Sequence, residues 1–292
     1  VDGACEYFQD RRKKYPFSCK QAGFDLLQVL MGENERLLAI NTKQIEAKAE
    51  ETGVDVEEVV TKGIECYVNK EELKTNNITW NNEEYSDPGL ERMYLRLKSL
   101  QRFTEMYSCF ERAAANGLFD HLLDSGRKTV RIASMGGGPG HELLAVKVFF
   151  SARYPDLEVE LISTDCCAAW RPYVEDLGFK FVQHDIKDGD LLGAVGVSPG
   201  ELDFCIISCV MIYVTTDEVL DGFMRLLTEG GVKALLVSER DMQLTACEMV
   251  EARGGCVRRL IDQAHGKDER QTVWCSSDFA AGLRKTGEAI EI

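Results

Sequence analysis

The sequence predicts an α/β fold: a seven-stranded, mostly parallel sheet with helices on both faces, preceded by an N-terminal helical region. Three observations carry that prediction. Up to Ser125 the apolar residues recur at helical spacing, and no strand-like alternation interrupts them. From Lys128 onward short β-branched and apolar runs alternate with helical stretches, the signature of a parallel sheet covered by helices. At the hinge between these rhythms stands VRIASMGGGPGHE, residues 130–142, an apolar run that breaks into glycines and passes at once into a helix.

The elements follow in order. Residues 21–32, 33–53 and 54–74 are predicted helices, with Gly32 and Gly53 as stops. TNNITWNNEEYSDPG is a polar, Asn-rich loop, and Asp87 followed by Pro88 is a helix start with the acid as cap and the proline in the first turn. The next helix carries Leu90, Met93, Tyr94, Leu97, Leu100, Thr104, Tyr107 and Phe110 along one stripe. TVRIAS, LEVELIST, FKFVQHD, LDFCIISCVMI, KALLVSER, GCVRRLIDQ and RQTVWCS are the seven strands. A capping box between Thr215 and Glu218 opens the helix after the fourth. The chain between the last two strands is short for a helical crossover, which predicts an antiparallel pair at one edge. These elements divide the chain into a helical cap or substrate region (1–125), a ligand-binding core (126–276) and a C-terminal tail (277–292) that is at most a short helix.

Composition narrows the function classes. The net charge is −15, with 16 basic against 23 acidic residues through Ser125 and 18 against 26 beyond it. No basic half is hidden, so a long nucleic acid is a poor partner, and Arg11, Arg12, Lys13 and Lys14 read as a solvated terminal segment. Small or cationic partners fit better. No apolar run approaches the length of a membrane span. No secretory signal is visible at Val1, which is not an initiator methionine, so the true amino terminus is expected to be missing or trimmed. Eleven irregularly spaced cysteines without a CxxC pair indicate a reducing cytoplasm, apolar packing, and neither a disulfide framework nor a metal site. Nothing in the sequence sets an oligomeric state.

The glycine stretch is where chemistry enters. A strand ending on Gly136, Gly137, Gly138 and Gly140 leaves backbone N–H groups facing open space beside the positive end of a helix. A dinucleotide fingerprint, G-x-G-x-x-G, would need its third glycine at position 141, which is His141. NAD and FAD are therefore disfavoured.

The spacing instead resembles the S-adenosylmethionine loop of class I methyltransferases, a Rossmann-like superfamily, and the resemblance covers residues 128–276. It implies a transferase that binds S-adenosylmethionine and releases S-adenosylhomocysteine. It implies that Asp165, closing the second strand, holds the ribose hydroxyls beside Cys166, and that Asp185 and Ile186 after the third strand meet the adenine. Ser208 and Cys209 at the exit of the fourth strand fall beside the transferable methyl group. Many members place an acid two residues before the first glycine; here Ser134 stands there, which passes the methionine amine to backbone carbonyls or Glu142. The GGGPG variant is similar to that of small-amine methyltransferases and of certain fungal ribosomal-RNA uracil methyltransferases.

The acceptor is less legible. A small-molecule N or O nucleophile is the leading reading, an RNA base the first alternative, and a catalytically silent cofactor-binding regulatory module the second. The fourth strand exits as S-C-V-M-I-Y without the double proline of base and glutamine N-methylases. Candidates for a catalytic base are His184, Tyr213 and Asp241, with Glu239 and His265 behind them. Tyr85, Tyr107 and Tyr213 are candidate substrate contacts, drawn from a set that also includes Tyr94 and Phe103. Trp170 reads as sheet-facing core.

Overall fold

The computed structural model describes residues 21–69, 80–124, 128–211, 216–239, 243–260 and 270–283. Helices α1 (Gln21–Thr52), α2 (Val56–Val68), the one-turn α3 (Asn82–Tyr85), α4 (Pro88–Ala115) and α5 (Asp120–Asp124) precede the sheet. Then come β1 (Thr129–Met135), α6 (His141–Arg153), β2 (Glu158–Asp165), α7 (Arg171–Asp176), β3 (Lys180–Gln183), α8 (Leu191–Val195) and β4 (Phe204–Ser208). The chain closes with α9 (Asp217–Thr228), β5 (Ala234–Glu239), α10 (Gln243–Ala252), β6 (Gly255–Arg259), β7 (Arg270–Ser276) and α11 (Ser277–Ala281).

The seven strands form one sheet in the order β3-β2-β1-β4-β5-β7-β6. The first five run parallel, while β7 inserts between β5 and β6 and is antiparallel to both. Both faces are buried, as the two-residue period of a strand requires. Val130 and Ile132 of β1, Phe204 and Ile206 of β4 and Leu236 of β5 enter one core. Their neighbours Ala133, Met135, Cys205, Ile207 and Leu235 enter the other. The first core also takes in Leu26, Leu30 and Leu37 of α1 and Leu95, Phe103, Met106 and Phe110 of α4. The N-terminal helices therefore share the core of the sheet. Phe110, Phe119, Phe149 and Phe150 pack ring against ring at centroid distances of 5.4–6.0 Å where α4 meets α6, and each contributes roughly 1.5–3 kcal/mol of burial.

Several expectations need correction. Gly32 stops nothing: α1 runs unbroken from Gln21 to Thr52. A mid-helix glycine costs only about 1 kcal/mol, less than the burial of Leu26, Leu30 and Leu37 around it returns. Gly53, at φ +70°, is the stop. The cap of α9 is Thr216, whose side chain accepts from Val219 N–H, and Thr215 lies outside the described residues. In α4 the predicted single stripe fails. Leu97 is exposed and Leu95 buried, and residues 101–110 are buried on every side. Helix α10, between β5 and β6, escaped the sequence reading. Asp87 does cap α4, accepting the N–H groups of Gly89 and Leu90, with Pro88 in the first turn.

Candidate functional site

The carboxyl ends of β1, β2, β3 and β4 meet along one edge of the sheet, where an open α/β fold binds ligands. A cavity of about 280 Å³ lies there. Its floor is the glycine turn. Gly136 has φ +66°, and a Cβ there would stand 2.6 Å from Val210 Cγ1. Gly138 has φ +50° with open space where a Cβ would point. Both line the cavity, whereas Gly137 and Gly140 sit behind the turn. Gly137 donates to Thr164 O at 3.1 Å, and Gly140 caps α6.

Asp165 is buried at the end of β2 and locks this floor. One carboxylate oxygen accepts Gly138 N–H and the other Cys167 N–H, each at 2.9 Å. Burial pushes the carboxyl up to about 6, against the pull of those two hydrogen bonds. Cys166 donates to Asn82 Oδ1 at 3.2 Å and lines the cavity, its thiol pushed up to about 11 by burial. At the exit of β3, Asp185 accepts Lys187 N–H at 3.0 Å as the cap of a short 3-10 turn. His184, Asp185 and Ile186 line the wall at this end; Ser208, Cys209 and Val210 line it at the exit of β4. Cys209 is the one described non-glycine residue with positive φ, +52°, a local strain at the cavity edge. Glu239 is buried and accepts Met211 N–H at 3.0 Å, anchoring the turn after β4.

The opposite wall comes from the N-terminal helices. Trp80, Tyr85 and Tyr94 line it, joined by Trp170 from the 3-10 turn after β2. Tyr85 touches Trp80, Tyr94 and Trp170 edge to face at 5.6, 6.3 and 6.1 Å. Trp170 is thus both core and wall, rather than core alone. Asn81 and Glu84 cap α3 reciprocally and fix Tyr85 at its end. Arg102, midway along α4, reaches the cavity with about nine-tenths of its side chain buried. Its Nε lies 3.7 Å from Glu142 Oε1. Burial pushes the Glu142 carboxyl up to about 7, with Arg102 pulling the other way.

The structure brings together Gly136, Gly138, Asp165, Cys166, Asp185, Ile186, Ser208, Cys209, His184 and Tyr85 around one cavity. It does not bring Glu142 to the wall, because that side chain is buried behind the loop against Arg102. Tyr107 is a correction. Its ring stacks on Phe103 and meets Phe149 edge to face at 6.4 and 6.0 Å inside the core, so it does not line the cavity. Tyr213, Asp241 and His265 lie outside the described residues. Sequence reasoning missed Arg102 and Trp80. One signal was available, a tryptophan inside an Asn-rich loop. Arg102 gave none, because with Gln101, Thr104, Glu105 and Ser108 it forms a polar helix face that reads as solvated, opposite Phe103, Met106, Tyr107 and Phe110.

No family model and no curated protein matches the chain. Among solved structures, similarity of fold is found to a Listeria monocytogenes protein described as a class I S-adenosylmethionine-dependent methyltransferase. It is 14% identical, over 89% of this chain and 90% of that one, with a TM-score of 0.45. A Methanococcus maripaludis protein described as an S-adenosyl-L-methionine-dependent methyltransferase is 10% identical over 70% and 96%, with a TM-score of 0.38. The methyltransferase domain of the bacterial protein CtHen1 is 14% identical over 58% and 98%, with a TM-score of 0.39. By its own strand order and single inserted antiparallel strand, the sheet is Rossmann-like, seven-stranded and mostly parallel.

Proposed function

We propose that the chain is an S-adenosylmethionine-dependent methyltransferase acting on a small-molecule N or O nucleophile. The observation that carries this reading is the bond from Gly138 N–H to Asp165 at the floor of a cavity that Asp185 also lines. The residues fit the cofactor. Gly138 leaves open space above the backbone, and Asp165 offers carboxylate oxygens to a diol. Asp185 and Ile186 give a polar and an apolar contact for an adenine. Bound S-adenosylmethionine supplies an electrophilic methyl group, leaving S-adenosylhomocysteine.

The chain's own residues then have two tasks. The glycine turn and Asp165 orient the adenosyl group. The ring wall of Trp80, Tyr85 and Tyr94 excludes water and gives a planar or cationic acceptor a surface to rest on. His184 lines the cavity at the β3 end, beside the adenine and away from the methyl group, so the acceptor that the described residues suit best is a neutral amine, which needs no base. The charge of −15 favours a small or cationic acceptor over RNA. Free thiols at Cys66, Cys166, Cys209 and Cys256 suit a reducing, cytoplasmic setting.

The test is methyl-labelled cofactor with fractionated metabolites and, separately, RNA. Label in a low-molecular-weight fraction is the expected result. Label in RNA alone would replace the small-molecule reading, and saturable cofactor binding without transfer to any fraction would favour a regulatory module.

A further inference from the structure

We propose that Arg102 is the receptor for the carboxylate at the amino-acid end of the adenosyl ligand, so that helix α4 completes a site the sheet edge leaves open. This rests on the cofactor reading above and goes beyond it, since among the described sheet-edge residues that line the cavity at the exits of β1 and β4 none is a cation.

The order of strands gives the order of ligand parts. Across the cavity the exits run β3, β2, β1, β4, each about 4.8 Å from the next. With the base at Asp185 after β3 and the ribose at Asp165 after β2, the remaining end of the ligand falls by the exits of β1 and β4. Gly136, Ser208 and Cys209 line the cavity there. Arg102 is at this end, because its guanidinium lies against Cys209 and beside Glu142 in the first turn of α6.

The state of Arg102 calls for an anion. An arginine is always charged, and burying it without partners is costly. Its Nε and Nη1 have no hydrogen-bond partner among the described residues. Glu142 at 3.7 Å is beyond hydrogen-bond reach, and burial raises its carboxyl to about 7, so near neutrality it offsets only part of the charge. Glu105 accepts from Gln101 Nε2 at 2.6 Å, and its charge adds to that of Glu142 around Arg102 while leaving Nε and Nη1 without a hydrogen bond. Cys209, its thiol pushed up to about 12 by burial, and the Tyr94 phenol, likewise at about 12, are neutral. A ligand carboxylate is the group that satisfies such a cation at the wall of this cavity.

The test is binding, read by calorimetry, of S-adenosylmethionine, its decarboxylated analogue and 5′-methylthioadenosine to the full chain. In the unmodified protein, loss of the carboxylate should weaken binding by about 10- to 100-fold, the range for a lost charge-assisted hydrogen bond. In Arg102→Gln the first two ligands should bind alike, while methylthioadenosine keeps its affinity; Arg102→Lys should retain part of the difference. Equal affinity of the first two ligands for the unmodified protein overturns the assignment while leaving the cofactor reading intact. So does an unchanged ratio in Arg102→Gln. Failure of all three ligands to bind overturns the cofactor reading and the assignment together. Should Arg102→Gln lose methylthioadenosine as well, the variant is damaged, and the comparison within the unmodified protein decides.

Discussion

The two walls of the cavity were built by different rules. The sheet-edge wall is a matter of backbone: Gly136 and Gly138 adopt left-handed conformations, and Asp165 ties the turn to the end of β2. The helical wall is a matter of tertiary packing. Tyr85, Tyr94 and Arg102 reach the cavity because α3 and α4 lean on the sheet, and nothing in their local spacing demands it. A wall made of backbone constraints announces itself in sequence, since only glycine and a few capping residues meet them. A wall made of side chains on a helix resembles any other buried helix.

The sharpest way to break this comparison is Gly136→Val. The backbone at φ +66° and a Cβ 2.6 Å from Val210 Cγ1 leave it no room. Adenosyl-ligand affinity should fall by roughly 100-fold or more, from strain and overpacking of several kcal/mol, while circular dichroism still reports a folded chain. Next comes Asp165→Ala, which removes the acceptor of two backbone N–H groups. Titration should show binding weakened about 10- to 100-fold.

The helical side has its own probe in Glu91, buried between α1, α4 and α7. Tyr173 donates to it at 2.6 Å and also contacts Asn41 and Gln44. Burial pushes this carboxyl from 4.5 to about 7, with the Tyr173 hydrogen bond pulling it down. The native state therefore holds a proton that the unfolded chain releases between about pH 4.5 and 7, and stability falls as pH rises through that window. Denaturant titrations at pH 5 and 7 should differ by about 2 kcal/mol from this group. Glu91→Gln should shrink the pH 5 to 7 difference by about that amount, leaving what Glu142 and Asp165 contribute, without changing ligand affinity. Smallest is Tyr85→Ala, which removes one ring from the aromatic wall; ligand or acceptor affinity should drop by about 2- to 10-fold, the worth of an aromatic contact.

Legibility followed the same divide. The strand ends were readable because VRIAS, LEVELIST and FKFVQHD each stop on a residue with a defined backbone or capping task, down to Asp165 and Asp185. The antiparallel edge was readable from the short connection before RQTVWCS. The helical region was readable as helix and little more. Gly32 looked like a stop because propensity is local, whereas the leucines that carry α1 through it pack against α4, far along the chain. Tyr107 and Tyr94 lie on the same predicted stripe, yet one is buried on Phe149 and the other lines the cavity. Arg102 carried no signal of its own, since it shares an ordinary polar helix face with Gln101, Thr104, Glu105 and Ser108, and only the tertiary fold buries that face.

The central claim is that the sheet edge from β1 to β4 binds an adenosyl ligand through the glycine turn and Asp165. The most direct measurement is calorimetric titration of S-adenosylhomocysteine into the full chain and into Asp165→Ala. Saturable binding that weakens at least about tenfold in the variant, with the fold retained, is the predicted result. No binding to the unmodified chain, or equal affinity in both proteins, would contradict the account.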